Sequence, residues 1–242
     1  MLENPYFHLI IFIAGFTQGF TGFGSTLVLL PLLTMLTGVK TVVPMVVLLG
    51  ICINVILVFQ VHRHLEWKRV RTLLIACVPG ILIGVFILKK MSTSFLELVI
   101  GLVLLVFPVW LMFRGVPEKE IAAGWAWPVG FLSGILGGSV SAGGPPVIIY
   151  TALQPWGKLP IKSTLVGFFL VTSVVTGVVQ TGGGLMTKEV LMLFAAGLPA
   201  LVTGVFAGSY LFNRVDSGVY RKGLSILLIF LGVVILLKAA VG

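Results

Sequence analysis

Acidic, histidine and cysteine side chains are scarce. The 242 residues hold 7 Asp+Glu, 3 His and 2 Cys. Glu3, Glu66, Glu118, Glu120, Glu189 and Asp216 belong to loops or segment ends, and Glu97 lies only a few residues inside an apolar segment. His8, His62 and His64 also sit near segment ends. There is no His-Glu-x-x-His, no paired intramembrane Asp and no Gly-x-Ser-x-Gly, one of which an intramembrane protease or metalloenzyme would carry. Catalysis needs acids, bases or nucleophiles within reach of one another, so an enzyme is not expected. The same shortage leaves no mid-span carboxylate or imidazole for a proton relay. Cys52 and Cys77 lie in apolar segments without ligand spacing, so no metal, cofactor or disulfide framework is expected.

Charge as a whole is low, at 10% of residues, against 58% hydrophobic and a mean hydropathy of +1.18. A soluble domain is about 25% charged. This excludes a soluble, disordered or nucleic-acid-binding protein. The net charge of +9 comes from basic residues in short connections, where it reads as topology signal and contact with lipid headgroups. The start, Met1-Leu2-Glu3-Asn4-Pro5, lacks a basic stretch and is not read as a cleaved signal peptide.

What is present is a series of apolar segments near the 20-residue length of a membrane-spanning helix. They run roughly over 8–36, 42–60, 72–88, 94–113, 125–153, 163–180, 189–212 and 223–241. The chain repeats itself. Gly15, Phe16, Gly19, Gly22 and Pro31 recur as Gly130, Phe131, Gly134, Gly137 and Pro146. After an insertion near Gln154-Pro155-Trp156-Gly157, Gln60 corresponds to Gln180, and Pro79, Gly84, Val85 and Phe86 to Pro199, Gly204, Val205 and Phe206. Gln60 and Gln180 fall at span ends, which suggests interfacial positions.

The first segment of each half is broken by Gly19-Phe20-Thr21-Gly22-Phe23-Gly24 and by residues 137–146, Gly-Gly-Ser-Val-Ser-Ala-Gly-Gly-Pro-Pro. Lipid cannot satisfy the backbone groups such a break exposes, so each segment is a broken span or a re-entrant hairpin. If all eight segments span, the basic residues divide evenly between the two sides. If the broken segments re-enter, Lys40, Lys89, Lys90, Lys188 and Lys238 share one side and the rest the other, the asymmetry of positive-inside sorting. The expected fold is an all-α polytopic membrane protein, one membrane domain over 1–242. It has two homologous halves, 1–120 and 121–242, each with a glycine-broken or re-entrant first segment plus three spanning helices, and the halves are inverted.

Neutral hydrogen-bonding residues gather at the breaks. A half-helix starting there points free N–H groups and a positive dipole end into the protein. Two such ends make an anion site without a charged side chain, and glycine allows close approach. The candidate binding residues are Gln18, Gly22, Gly24, Ser25, Thr26, Asn54, Ser133, Gly138, Ser139, Ser141, Gly143 and Gly144. The hydroxyls of Ser25, Thr26, Ser139 and Ser141 are expected to assist. A bulky residue at Gly143 is expected to stop transport and leave folding largely intact. Gly15, Gly19, Gly80, Gly84 and Gly204 read as helix-packing positions.

Residues 14–24, Ala-Gly-Phe-Thr-Gln-Gly-Phe-Thr-Gly-Phe-Gly, with Leu29-Leu30-Pro31-Leu32-Leu33, resemble the N-terminal signature of the TauE/SafE family of sulfite exporters. His62-Arg63-His64-Leu65-Glu66-Trp67-Lys68-Arg69 followed by Pro79-Gly80-Ile81-Leu82-Ile83-Gly84 is similar to the family's segment after its second span, and residues 137–146 resemble its repeated motif. In many members the first motif has more consecutive glycines; here Phe23 interrupts it and Ser25 follows. The resemblance covers essentially the whole chain. It implies a bacterial or archaeal inner-membrane carrier with seven or eight hydrophobic segments that mostly exports sulfite, sulfoacetate or another organosulfonate. Alternating access, with one repeat rocking against the other, is the mechanism expected of such repeats. The expected partners are that small anion and membrane lipid. A coupling ion, H+ or Na+, is carried by no motif, and the exposed apolar faces leave a homodimer open. A passive anion channel using the same breaks, or a non-transporting scaffold or assembly factor, are the alternative readings.

Overall fold

A computed structural model describes residues 5–65, 67–92, 94–95, 98–99, 101–102, 106, 122–152, 154, 156 and 158–212. Most of the expected span 94–113 and all of 223–241 lie outside the described residues. The described part is helical, with no strand. Its helices are α1 (Pro5–Thr21), α2 (Ser25–Thr34), α3 (Val39–Val61), α4 (Trp67–Lys90), α5 (Ala126–Val140), α6 (Gly144–Ala152), α7 (Lys158–Gly182) and α8 (Lys188–Phe212). Among the described residues, four stretches are long and apolar enough to cross a membrane: Val39–Val61, Val70–Lys90, Pro160–Gly182 and Lys188–Leu211. Their outward faces carry large apolar side chains, among them Phe59, Phe86, Val178 and Tyr210, each more than half exposed.

The broken segments become helix pairs, α1–α2 and α5–α6, and at each break the chain doubles back. Gly22 and Gly24 have φ of 84° and 98°, and Ser141 has φ of 54°. These left-handed residues cannot continue a right-handed helix. After the first turn, a Cβ on Gly24 would lie 3.6 Å from Thr17 Cγ2; after the second, one on Gly143 would lie 2.5 Å from the Ser133 carbonyl oxygen. In a continuous helix those pairs would be separated by about 10 and 15 Å.

Two interfaces are built backbone to backbone. On α1 against α8, a Cβ on Gly15 would stand 2.6 Å from the Leu201 carbonyl oxygen, on Gly19 2.3 Å from that of Val205, and on Gly208 2.0 Å from that of Phe16. On α4 against α5, Gly80, Gly84, Gly130, Gly134 and Gly138 meet facing backbone at 2.2–2.4 Å in the same sense. No methyl fits at any of these positions, so small residues at four-residue spacing set the approach. Numbers rise together along both members of each pair, so α1 runs parallel to α8 and α4 parallel to α5. Between these pairs pack α3 and α7. Phe7, Ile11, Leu29, Leu30, Leu33, Met45, Leu49, Ile53 and Leu57 are fully buried along α1, α2 and α3.

Candidate functional site

Both helix breaks open onto one cavity of about 90 Å³, room for a few waters or a small oxyanion. It lies against the central turns of three long helices, at Val46 to Asn54 of α3, Cys77 and Ile81 of α4, and Phe168 to Thr176 of α7. None of the described residues in its wall is charged.

The first break supplies most of the donors. Helix α2 begins at Gly24 with no side-chain cap, and its first main-chain bond runs from the Val28 N–H to the Gly24 carbonyl. The N–H groups of Ser25, Thr26 and Leu27 are therefore left over at the positive end of the helix dipole. All three residues line the cavity. The loop ahead of them is held by Thr21, whose hydroxyl donates to the Phe23 carbonyl and accepts the Phe23 N–H at 2.9 Å.

A side-chain network fixes the wall beside this helix end. Gln18 Nε2 donates to Asn54 Oδ1 at 3.0 Å, and the Ser25 hydroxyl donates to Gln18 Oε1. With its oxygen occupied, Asn54 offers its amide hydrogens as donors at the cavity wall. The hydroxyl of Thr26 has no partner among the described residues, nor has that of Thr176 on α7.

The second break is poorer in donors. The first turn of α6 is Gly144-Pro145-Pro146-Val147. Proline suits the start of a helix but has no N–H, so only Gly144 and Val147 donate there. Ser133 is spent on closing the hairpin through a hydrogen bond to the Gly143 carbonyl, and Ser141 donates to the Val43 carbonyl at 3.2 Å.

Of the residues singled out in the sequence, Gln18, Gly24, Ser25, Thr26, Asn54, Ser133, Ser141, Gly143 and Gly144 line the cavity. Gly22, Gly138 and Ser139 lie elsewhere. Gly22 packs under the Lys162 side chain and Gly138 under α4, while Ser139 donates to the Ile135 carbonyl at 2.7 Å. Among the hydroxyls of Ser25, Thr26, Ser139 and Ser141, only that of Thr26 has no protein acceptor. Gly143 is a poor place for a bulky probe, because its Cβ would meet the Ser133 carbonyl at 2.5 Å; Gly137, whose Cβ would touch Gly143 Cα at 3.7 Å, accepts one better. Thr172, Ser173 and Thr176, which the sequence shows as neutral polar residues inside an apolar segment, also line the wall. Lys162, which reads as a loop cation, is buried beneath the first hairpin. Gln180, which reads as interfacial, is fully buried, whereas Gln60 is exposed.

The profile described as Sulfite exporter TauE/SafE matches residues 7–235. The chain belongs to the sulfite exporter TauE/SafE family. With its apolar spans, this makes it an integral membrane protein of an exporter family. A relative from Cupriavidus necator, described as a probable sulfite/organosulfonate exporter TauE, is 26% identical over 197 residues, covering 79% of this chain and 77% of the relative. No solved structure matches the chain. Both broken segments, whose ends form the cavity, lie within the matched range.

Proposed function

We propose that this protein is a secondary transporter of the inner membrane that exports a small sulfur oxyanion, sulfite or an organosulfonate. The observation that carries the reading is the neutral cavity at which an uncapped helix start, Ser25-Thr26-Leu27, meets the donors of Asn54 and Thr176. Oriented N–H groups stabilise an anion's oxygens at close range without a counter-charge. A cation would instead want carbonyls or carboxylates. In this assignment the three N–H groups, Asn54 Nδ2, and the Thr26 and Thr176 hydroxyls contact the anion. Gly24, Gly143 and Gly144 let it approach the backbone, while Gln18, Ser25, Ser133 and Ser141 hold the wall in shape. The name of the Cupriavidus necator relative supports the choice of sulfur oxyanions.

The two hairpins act as re-entrant elements of inverted halves. The doubling back of the chain at Gly22–Gly24 and at Ser141 supports this. The moving bodies are then pairs drawn from both halves, α1 with α8 and α4 with α5, since their backbone contacts leave no slack.

The test is sulfite release from proteoliposomes of purified protein, with Gly137→Leu alongside. Saturable release that falls at least tenfold in the variant is expected. Equal release in the variant would reject the cavity as the site. No release of sulfite under any imposed ion gradient would reject sulfite and turn the same assay to organosulfonates, no release of either would reject the carrier, and currents far above carrier rates would identify a passive channel.

A further inference from the structure

Gln180 is fully buried, and neither Nε2 nor Oε1 has a hydrogen-bond partner among the described residues. Its main-chain carbonyl is satisfied by the Leu185 N–H at 2.9 Å, so the side chain alone is orphaned. A buried amide with no partner is costly and calls for an explanation. Its place on α7 supplies one. At 100° per residue, Phe169, Ser173, Thr176 and Gln180 fall on one stripe of the helix. The first three line the cavity, while Val174 and Val178 on the opposite side are exposed. Gln180 is one turn beyond Thr176, about 6 Å along the axis. Roughly one turn further, the Lys89 side chain comes within 3.6 Å of a Cβ position on Gly183. The stripe therefore leads from the cavity, past an unsatisfied amide, to the Lys89 side chain at the end of α7.

We infer that Gln180 is a second station for the transported oxyanion, occupied between the central cavity and the Lys89 end of α7. The inference rests on the carrier reading above. In the described conformation the cavity wall ends at Thr176, so the station fills when this face of α7 is uncovered. Nε2 then donates to an oxygen of the anion, and Oε1 accepts from water that travels with it. Lys89 draws the anion onward. By the positive-inside count this is the outer, releasing end, since Lys89, Lys90 and Lys188 share it.

Gln180→Leu removes the amide at similar volume, and Gln180→Met does so with a flexible chain should branching disturb the fold. Both are compared with the unaltered protein for sulfite binding in detergent, by calorimetry, and for sulfite flux in proteoliposomes. The expected result is binding within twofold, a raised melting temperature and flux reduced at least tenfold. Unchanged flux in a folded variant would overturn the station and leave the carrier reading intact, marking the amide as the partner of a structural water. Loss of binding together with flux would overturn it as a separate site. An unaltered protein that neither binds nor moves sulfite or a short organosulfonate would overturn the carrier reading, and the station with it.

Discussion

Asn54 and Gln18 hold each other through one 3.0 Å hydrogen bond, and replacing Asn54 by Leu breaks it from the side that faces the cavity. The variant leaves Gln18 Nε2 buried without an acceptor, which costs about 1–3 kcal/mol. It also takes one donor from the proposed anion site. The expected outcome is a melting temperature lowered by several degrees and a sulfite KM raised at least tenfold, read by thermal denaturation and by proteoliposome flux. A KM within twofold would detach Asn54 from the substrate. Polar residues inside apolar segments stood out in the sequence for a plain reason, since burial in hydrocarbon without a partner is expensive. That reason located Gln18, Ser25, Asn54, Ser133 and Ser141. It did not reveal which way each proton points. Ser139 turns to a carbonyl four residues back in its own helix, and Ser141 to a carbonyl on α3. Nothing in a local pattern distinguishes these from the free hydroxyl of Thr26.

At the level of helices, Gly208 and Gly182 make a controlled comparison. A Cβ on Gly208 would stand 2.0 Å from the Phe16 carbonyl oxygen, while one on Gly182 meets nothing within 4 Å. Gly208→Ala should cost about 1–3 kcal/mol through forced separation of α1 and α8, and Gly182→Ala should stay within about 0.5 kcal/mol. Melting in detergent checks both, and equal shifts would refute close packing as the glycines' role. The four-residue spacing of Gly15 and Gly19, and of Gly80 and Gly84, announced small-residue interfaces. The spacing does not name the partner helix, because Gly15 presents the same sequence signal whether it faces α8 or α5. The breaks were legible from the clustering of Gly, Ser and Pro. The unequal donor supply of the two breaks was readable as well, since Pro145 and Pro146 lack N–H groups, but symmetry of the motif obscured it.

For the whole molecule, the inverted halves proposed above put the Arg63 loop inside and the Lys188 turn outside. Single cysteines at these exposed positions, in a chain whose Cys52 and Cys77 are replaced by alanine, test it. A membrane-impermeant maleimide should label Lys188→Cys in intact cells and Arg63→Cys only after disruption. The reverse pattern would invert the orientation, and labelling of both from one side would reject the re-entrant hairpins. The burial of Lys162 was hidden in the sequence by its place near a loop and depends on the distant hairpin that covers it. The interleaved glycine pairs also impose an order on synthesis. The surface of α5 that fits α4 leaves the ribosome soon after α4 itself, so that pair assembles early. Gly15 must wait for Leu201, and at 5–20 residues per second that delay is on the order of ten seconds or more. Through that interval α1 stands in the bilayer with its glycine face uncovered, held by lipid or by the insertion machinery until the last described helix arrives.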